Sequence, residues 1–213
     1  MTQASSRTAV LIIAATVLLT SCADPGSDSG AGSAQDEGSP GGLPEFSGPW
    51  AAEFEEAYVS ATSDFERSAL NDGFVSEQEY AEMTDRFDGC LADAGVTFEG
   101  FRDGGEFDFT FPESLGATRA HDVADACSRS SGEVSIGMIY SFVTRNPEHR
   151  DENAIMSECL VEEAVVEPGY SAAAYASDIV DETYPFSTNH EAGMTAVRLC
   201  ESDPLALVGL RQR

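Results

Sequence analysis

Apolar positions recur along this chain with two periods, one near 3.6 and one of 2, and the switches between them outline its elements. Trp50, Phe54, Tyr58, Ala61, Phe65 and Ala69 fall at helical spacing, which predicts one helix of about five turns with a single apolar face. Glu53, Glu56 and Asp64 occupy its other side. Pro49 suits the first turn, where a missing N–H costs nothing, and Asn71-Asp72-Gly73 stops the run.

Ser76-Glu77-Gln78-Glu79 reads as a capping box and starts a second helix. Tyr80, Met83, Phe87, Cys90 and Leu91 form its apolar face, and Gly95 is placed to end it. The period then changes to 2. Val96-Thr97-Phe98 and Phe107-Asp108-Phe109-Thr110-Phe111 flank Asp103-Gly104-Gly105, the signature of a β-hairpin. Helical segments follow near 115–129, 134–145, 151–164, 171–182 and 188–200. Ser171 and Thr188 are the expected caps of the last two, and Asp151 or Asn153 of the third. The expected fold is mainly α, a helical domain with a small hairpin.

Cysteine spacing adds a framework. Cys90, Cys127, Cys159 and Cys200 form an even set without the short Cys-x2-4-Cys spacing of a structural zinc site. In an exported chain they read as two disulfides, for which three pairings exist.

An internal repeat narrows the choice. Cys90-Leu91-Ala92-Asp93-Ala94-Gly95-Val96 parallels Cys159-Leu160-Val161-Glu162-Glu163-Ala164-Val165, and Phe111-Pro112 and Tyr184-Pro185 stand sixteen residues before Cys127 and Cys200. A period of about 70 residues is too long for a solenoid and fits two copies of a helix–connection–helix unit. If each copy closes its own bridge, the pairs are Cys90–Cys127 and Cys159–Cys200.

The Cys-Leu-x-x-x-Gly-Val segment, followed by a helix ending in Cys, resembles a recurrent unit of uncharacterised actinobacterial cell-envelope lipoproteins. The resemblance runs from about Ser47 to the C terminus. It implies an extracytoplasmic compartment and disulfides, and it carries no activity. The second copy departs from the pattern at Ala164, where the glycine would stand.

The N-terminal segment supplies an address. A mostly polar stretch of seven residues with the single cation Arg7 precedes an apolar run from Ala9 to Leu19. As a helix that run reaches about 16 Å, well short of a ~30 Å bilayer core, and it suits the apolar region of a secretory signal. Leu19-Thr20-Ser21-Cys22 looks like a bacterial lipobox, which implies a signal peptide over 1–21 and acylation of Cys22, typically with a palmitate-like chain. From Ala23 to Phe46 the chain holds six Gly, four Ser and three Pro, with Leu43 and Phe46 its only bulky apolar residues. Residues 22–46 are therefore expected to form a disordered tether, and 47–213 an acidic globular domain. The C-terminal apolar stretch Leu205–Leu210 is too short to cross a membrane.

Charge removes some partners. Without Arg7, ten cations, all Arg, face 38 acids, a net charge of −28. Such a surface repels nucleic acid and anionic head groups. It favours solubility, a cationic partner or a metal ion.

Motifs with chemistry are sparse. Asp72-Gly73-Phe74-Val75-Ser76-Glu77-Gln78-Glu79 matches the second half of a calcium loop, with Asp72 and Glu79 as ligands. Two earlier ligand positions hold Ser68 and Leu70, and the turn and capping box account for the same residues without an ion. Gly169-Tyr170-Ser171-Ala172-Ala173 falls short of a nucleophile elbow. His121, His149 and His190 lie far apart, with Asp122 and Glu191 beside two of them. Trp50, Phe54 and Tyr58 are either core or a binding stripe for glycan or peptide. Asn146-Pro147 with His149-Arg150-Asp151 makes a polar loop that can face a partner.

No catalytic constellation or cofactor motif emerges. The expectation is a lipid-anchored protein on the extracytoplasmic face of the cell membrane, acting as a non-catalytic interaction or accessory module. Its partner would be an envelope protein or ligand, and nucleic acid is excluded. An enzyme acting on envelope material and a cation-binding surface protein are the alternatives.

Overall fold

The computed structural model describes residues 42–102, 105–181 and 183–211. The expected signal peptide, Cys22 and nearly all of the expected tether lie outside the described residues, as do Asp103 and Gly104 of the hairpin turn. The packed unit begins at Leu43. Phe46, placed by its composition in the tether, is packed against Phe54 and Tyr58 at ring separations of 6.3 and 5.9 Å.

The elements follow the expected class, with one early departure. Instead of one five-turn helix there are two, α1 over Ala51–Ser60 and α2 over Asp64–Leu70. Ser63 and Glu66 explain the break. The Ser63 hydroxyl accepts from the Glu66 N–H at 3.1 Å, and Glu66 Oε2 accepts from the Ser63 N–H at 2.9 Å. This second capping box outcompetes a continuous helix at Ala61–Ser63, because it satisfies donors at a new helix start. Glu66 is buried, and Ser135 Oγ also donates to its Oε1 at 2.9 Å.

Helix α3 spans Glu77–Asp93, capped by Ser76 and Glu79 as its sequence requires. Strands β1 (Thr97–Phe101) and β2 (Phe107–Thr110) pair antiparallel, with a register shift between Phe98 and Gly100. Helix α4 (Ala117–Ser131) ends at Gly132, whose φ of 86° opens a π turn over Glu133–Gly137 that runs into α5 (Met138–Arg145). There the Gly137 N–H reaches the Gly132 carbonyl, one residue beyond α-helical reach. The expected single helix over 134–145 is therefore continuous in direction but widened in its first turn.

Helices α6 (Glu152–Glu162), α7 (Ala172–Asp181) and α8 (His190–Ser202) complete the chain. Asp151 caps α6 and accepts from the Ala154 N–H at 2.8 Å. Ser171 Oγ accepts from the Ala174 N–H at 3.3 Å at the start of α7. The cap of α8 is Asn189, which accepts from the Ala192 N–H at 3.0 Å, rather than the expected Thr188. Moving the cap by one residue lets an amide oxygen of a better-ranked capping residue reach the orphan donor.

Both disulfides close within a copy, Cys90 to Cys127 and Cys159 to Cys200. Each loop closure contributes roughly 4 kcal/mol on the chain-entropy account. The copies also build matching cores. Phe87, Leu91, Val96, Ala124 and Cys127 are buried together in the first, and Met156, Leu160, Val165, Val197 and Cys200 in the second. Each residue of one set stands at the same offset from its cysteine as its counterpart. Phe111 and Tyr184, the aromatic-proline landmarks, pack onto these two cores. The connection between paired helices differs: a hairpin in the first copy, helix α7 in the second.

A third cluster joins α1, α2 and the first half of α3 to the π turn and α5 through Trp50, Phe54, Leu70, Met83, Ile136 and Ile139. Burying each such side chain contributes about 1.5–3 kcal/mol. The C-terminal tail is pinned by one carboxylate: Asp203 accepts backbone N–H bonds from each residue of Leu207–Arg211, at 2.7–3.3 Å. Arg211 then reaches back to Glu162 and Glu163, both at 2.8 Å.

Candidate functional site

The sequence-singled residues mostly have local structural duties. Asp72 Oδ1 accepts from the Phe74 N–H at 3.1 Å, closing a turn. Glu79 Oε2 is turned onto Ser76, accepting from its N–H at 2.8 Å and its hydroxyl at 2.7 Å. Among the described residues no three His, Cys, Asp or Glu side chains gather as a metal site. Trp50 and Phe54 are core, and Tyr58 packs at its edge.

The three histidines stay apart. His121 sits edge-on to Phe109 at 5.3 Å, and His190 lies 6.0 Å from the Phe186 ring. His149 is the most engaged. It stacks on Trp50 at 4.0 Å, its Nδ1 meets the Pro49 carbonyl at 2.9 Å, and its Nε2 lies 3.3 Å from Glu53 Oε1. With Nδ1 donating to Pro49 and Nε2 turned to a carboxylate, the ring fastens the start of α1 to the loop after α5.

That loop is the polar stretch flagged in the sequence, and Asn146 organises it. The side chain is fully buried. Its Nδ2 donates to the Arg150 carbonyl and to Glu152 Oε1, both at 2.9 Å, while Oδ1 accepts from the Arg150 N–H at 2.9 Å. The Asn146 carbonyl accepts from Trp50 Nε1 at 2.9 Å. The effect is to fix Glu152 in position, and Glu152 in turn holds Arg145, whose Nη1 donates to Oε2 at 2.8 Å.

Arg145 lines a cleft of about 690 Å³, within the range of ~300–1,000 Å³ typical of small-ligand sites. The cleft lies where the two copies meet. The hairpin contributes Phe101, Arg102 and Glu106; α5 contributes Phe142 and Arg145. From the second copy come Glu152 and Met156 of α6, Tyr175 and Ile179 of α7, and Arg198 and Glu201 of α8. Neither His121, His149, His190 nor Ser171 lines it.

Its electrostatics are mixed and tightly arranged. Arg102 grips Asp108 through Nε and Nη2, which raises the guanidinium further and lowers the carboxyl. Burial pushes the Glu201 carboxyl up and the neighbouring Glu106 adds to it, against the pull of Arg145 and Arg198. Burial likewise raises the Tyr175 hydroxyl, with Tyr184 next in effect. Tyr175 therefore stays a neutral phenol at physiological pH.

Arg145 and the cleft were not singled out in the sequence, although two signals pointed there. One is the position of Arg145, directly before the polar loop at Asn146. The other is scarcity: cations are few in this chain, so a cluster of Arg102, Arg145 and Arg198 is noteworthy once the fold brings them together.

No family model, curated protein or solved structure matches the chain.

Proposed function

We propose that this is an exported, lipid-anchored cell-envelope protein whose domain is a non-catalytic binding module. The cleft between its two disulfide-closed copies is the binding surface. Cys22, in its lipobox-like setting, supplies the anchor, and the Gly/Ser/Pro-rich stretch behind it holds the domain away from the bilayer. Two cystines, each closing a copy, fit an oxidising compartment. The resemblance to actinobacterial envelope lipoproteins points the same way.

One observation carries the binding reading. Arg145, 7% exposed and held through Nη1 by Glu152, lines the cleft beside Arg102 and Arg198, so the fold gathers three of this chain's few cations on one surface. A guanidinium already fixed by the fold loses little freedom when an acceptor binds it. The cleft has carboxylates, guanidinium groups and apolar walls, but no histidine or activated nucleophile to do chemistry.

The test is affinity capture from an envelope extract, using the mature chain with both disulfides formed. An Ile179→Trp variant is run beside it. Ile179 is on the cleft wall and 42% exposed, so the indole fills the cleft without entering the core. The expected result is a bound species retained by the parent chain and lost by the variant. Identical captures from both chains, or none from either, contradict the reading.

A further inference from the structure

Val134, Met138 and Phe142 recur every four residues through the π turn and α5, and they are 44%, 51% and 39% exposed. Large apolar side chains at such spacing ordinarily face a core. These instead form one wall of a groove of about 280 Å³, and the other wall is α1, through Glu53, Glu56 and Ala57.

The polar groups of the groove leave a simple remainder. Trp50 Nε1 donates to the Asn146 carbonyl, Ser60 Oγ to the Glu56 carbonyl and Ser135 Oγ to Glu66 Oε1, each at 2.9 Å. The lining side-chain donors are thus all used within the chain. What is left for a partner is the apolar ridge and two carboxylates. Glu53 lies 3.3 Å from His149 Nε2, while Glu56 is exposed and its carboxylate forms no ion pair among the described residues. No arginine lines the groove, whereas three stand among the acids of the cleft.

Charge sorts the occupants. A second copy would bring its own Glu53 and Glu56 to the same seat and add another strongly acidic chain. The stretch from Ala23 to Phe46 has no basic residue and only Leu43 and Phe46 as bulky apolar side chains, so it lacks the complement. Anionic head groups meet the same repulsion. An extended peptide finds no open strand edge, because both walls are helices whose backbone is already paired. A helix matches the groove. Its apolar residues at i, i+4 and i+7 meet Val134, Met138 and Phe142, and Lys or Arg on the adjoining flank meet Glu53 and Glu56.

We infer that the groove between α1 and α5 is a docking surface for a cationic amphipathic helix of a partner protein. It shares only Phe142 with the cleft and does not depend on the cleft's role.

Trp50, the chain's single tryptophan, lines the groove and reports its occupancy by fluorescence. The experiment titrates the mature, disulfide-intact chain with two tryptophan-free synthetic peptides of about 15 residues, long enough to form a helix. Both carry the same leucine stripe at helical spacing; one has Lys on its flanks and the other Glu. Calorimetry and Trp50 emission are read together. The expected result is saturable binding of the Lys peptide with a change in Trp50 emission, and binding of the Glu peptide at least about tenfold weaker.

Met138→Glu and Glu56→Lys each weaken the Lys peptide about tenfold, and both positions are exposed, so the fold does not rest on them. Asp125→Lys makes the same charge change at an exposed position of α4 outside the groove, and it leaves the affinity within about twofold. Equal losses from Asp125→Lys and Glu56→Lys would mean a general attraction to an acidic protein and overturn the assignment. Equal binding of the two peptides, or no saturable binding, overturns it as well. Self-association of the parent chain in sedimentation, abolished by Met138→Glu, would give the groove to a second copy instead. A shift of Trp50 emission on adding phosphatidylcholine vesicles, lost in Met138→Glu, would give it to a lipid surface; either outcome defeats the helix assignment.

Discussion

Gly95 and Ala164 stand at the same place in the two copies and adopt the same left-handed backbone, with φ of 76° and 53°. Each follows a Cys-Leu helix end and closes it in the same way. The Gly95 N–H reaches the Ala92 carbonyl and the Val96 N–H the Leu91 carbonyl, at 3.0 and 2.9 Å. Their counterparts, Ala164 to Val161 and Val165 to Leu160, measure 3.0 and 3.3 Å. Ala164 therefore keeps the same hydrogen-bonded helix ending as Gly95 with a Cβ where the left-handed region resists one.

That strain is measurable. Ala164→Gly should stabilise the domain by about 0.5–1 kcal/mol, since the relief of strain outweighs the extra freedom of the unfolded chain. Gly95→Ala should destabilise it by about 1 kcal/mol. Urea unfolding of the two variants beside the parent chain reads both signs. A destabilised Ala164→Gly variant contradicts the shared helix ending.

Asp203 sets an acid limit. Burial by itself raises its carboxyl, but the N–H groups of Val208, Arg211, Leu207 and Leu210 outweigh that and hold it below the usual range. A carboxylate lowered in the fold contributes stability that is complete above its unfolded value, about 3.9. The contribution drains as the pH falls through the folded value. Asp203→Asn should therefore lower stability at pH 7 by roughly 2–3 kcal/mol and flatten the fall below pH ~4. Denaturant melts from pH 7 to pH 2.5 test it, and an unchanged acid limb speaks against it.

Gly193 is fixed by its neighbour. A Cβ there would overlap the Phe186 ring. Gly193→Ala should cost about 1–3 kcal/mol by overpacking, and Phe186→Leu in the same chain should restore part of it. In the first copy the equivalent place, seven residues before the second cysteine, holds Ala120, which is fully buried, and the position matching Phe186 holds Glu113. Equal losses in the single and double variants would show that the two residues do not meet.

The two cystines differ in shelter. Cys159 and Cys200 are fully buried, whereas Cys90 is partly exposed and lies 3.7 Å from Ser130 Oγ near the surface. Graded reduction followed by alkylation and peptide mapping should label Cys90 and Cys127 first, because exchange needs access to sulfur. Earlier labelling of Cys159 and Cys200 contradicts the packing of the second core.

Local signals in the sequence translated well. The Ser76–Glu79 box, the alternation around 96–111 and the paired Cys-Leu landmarks each act through near neighbours, and each appears in the fold. The misses came from competition. Ser63 and Glu66 carried the same capping signal as Ser76 and Glu79, yet the apolar spacing from Trp50 to Ala69 outvoted it. Asn189 took the cap of α8 from Thr188 for a similar reason, one residue apart. The π turn after Gly132 depends on tertiary packing around Glu66 and Met83, and a linear pattern does not encode it. The cleft is hardest to read, because Arg102, Arg145 and Arg198 converge only after the two copies pack together.

The most direct measurement is intact-mass and peptide spectrometry of the protein taken from its native membrane, with free thiols blocked at lysis. The expected product starts at Cys22, carries a diacylglycerol thioether, and has Cys90 joined to Cys127 and Cys159 to Cys200. A chain that retains Met1–Ser21, bears no acyl group and presents four alkylated thiols would contradict the proposed address, and with it the function proposed for the domain.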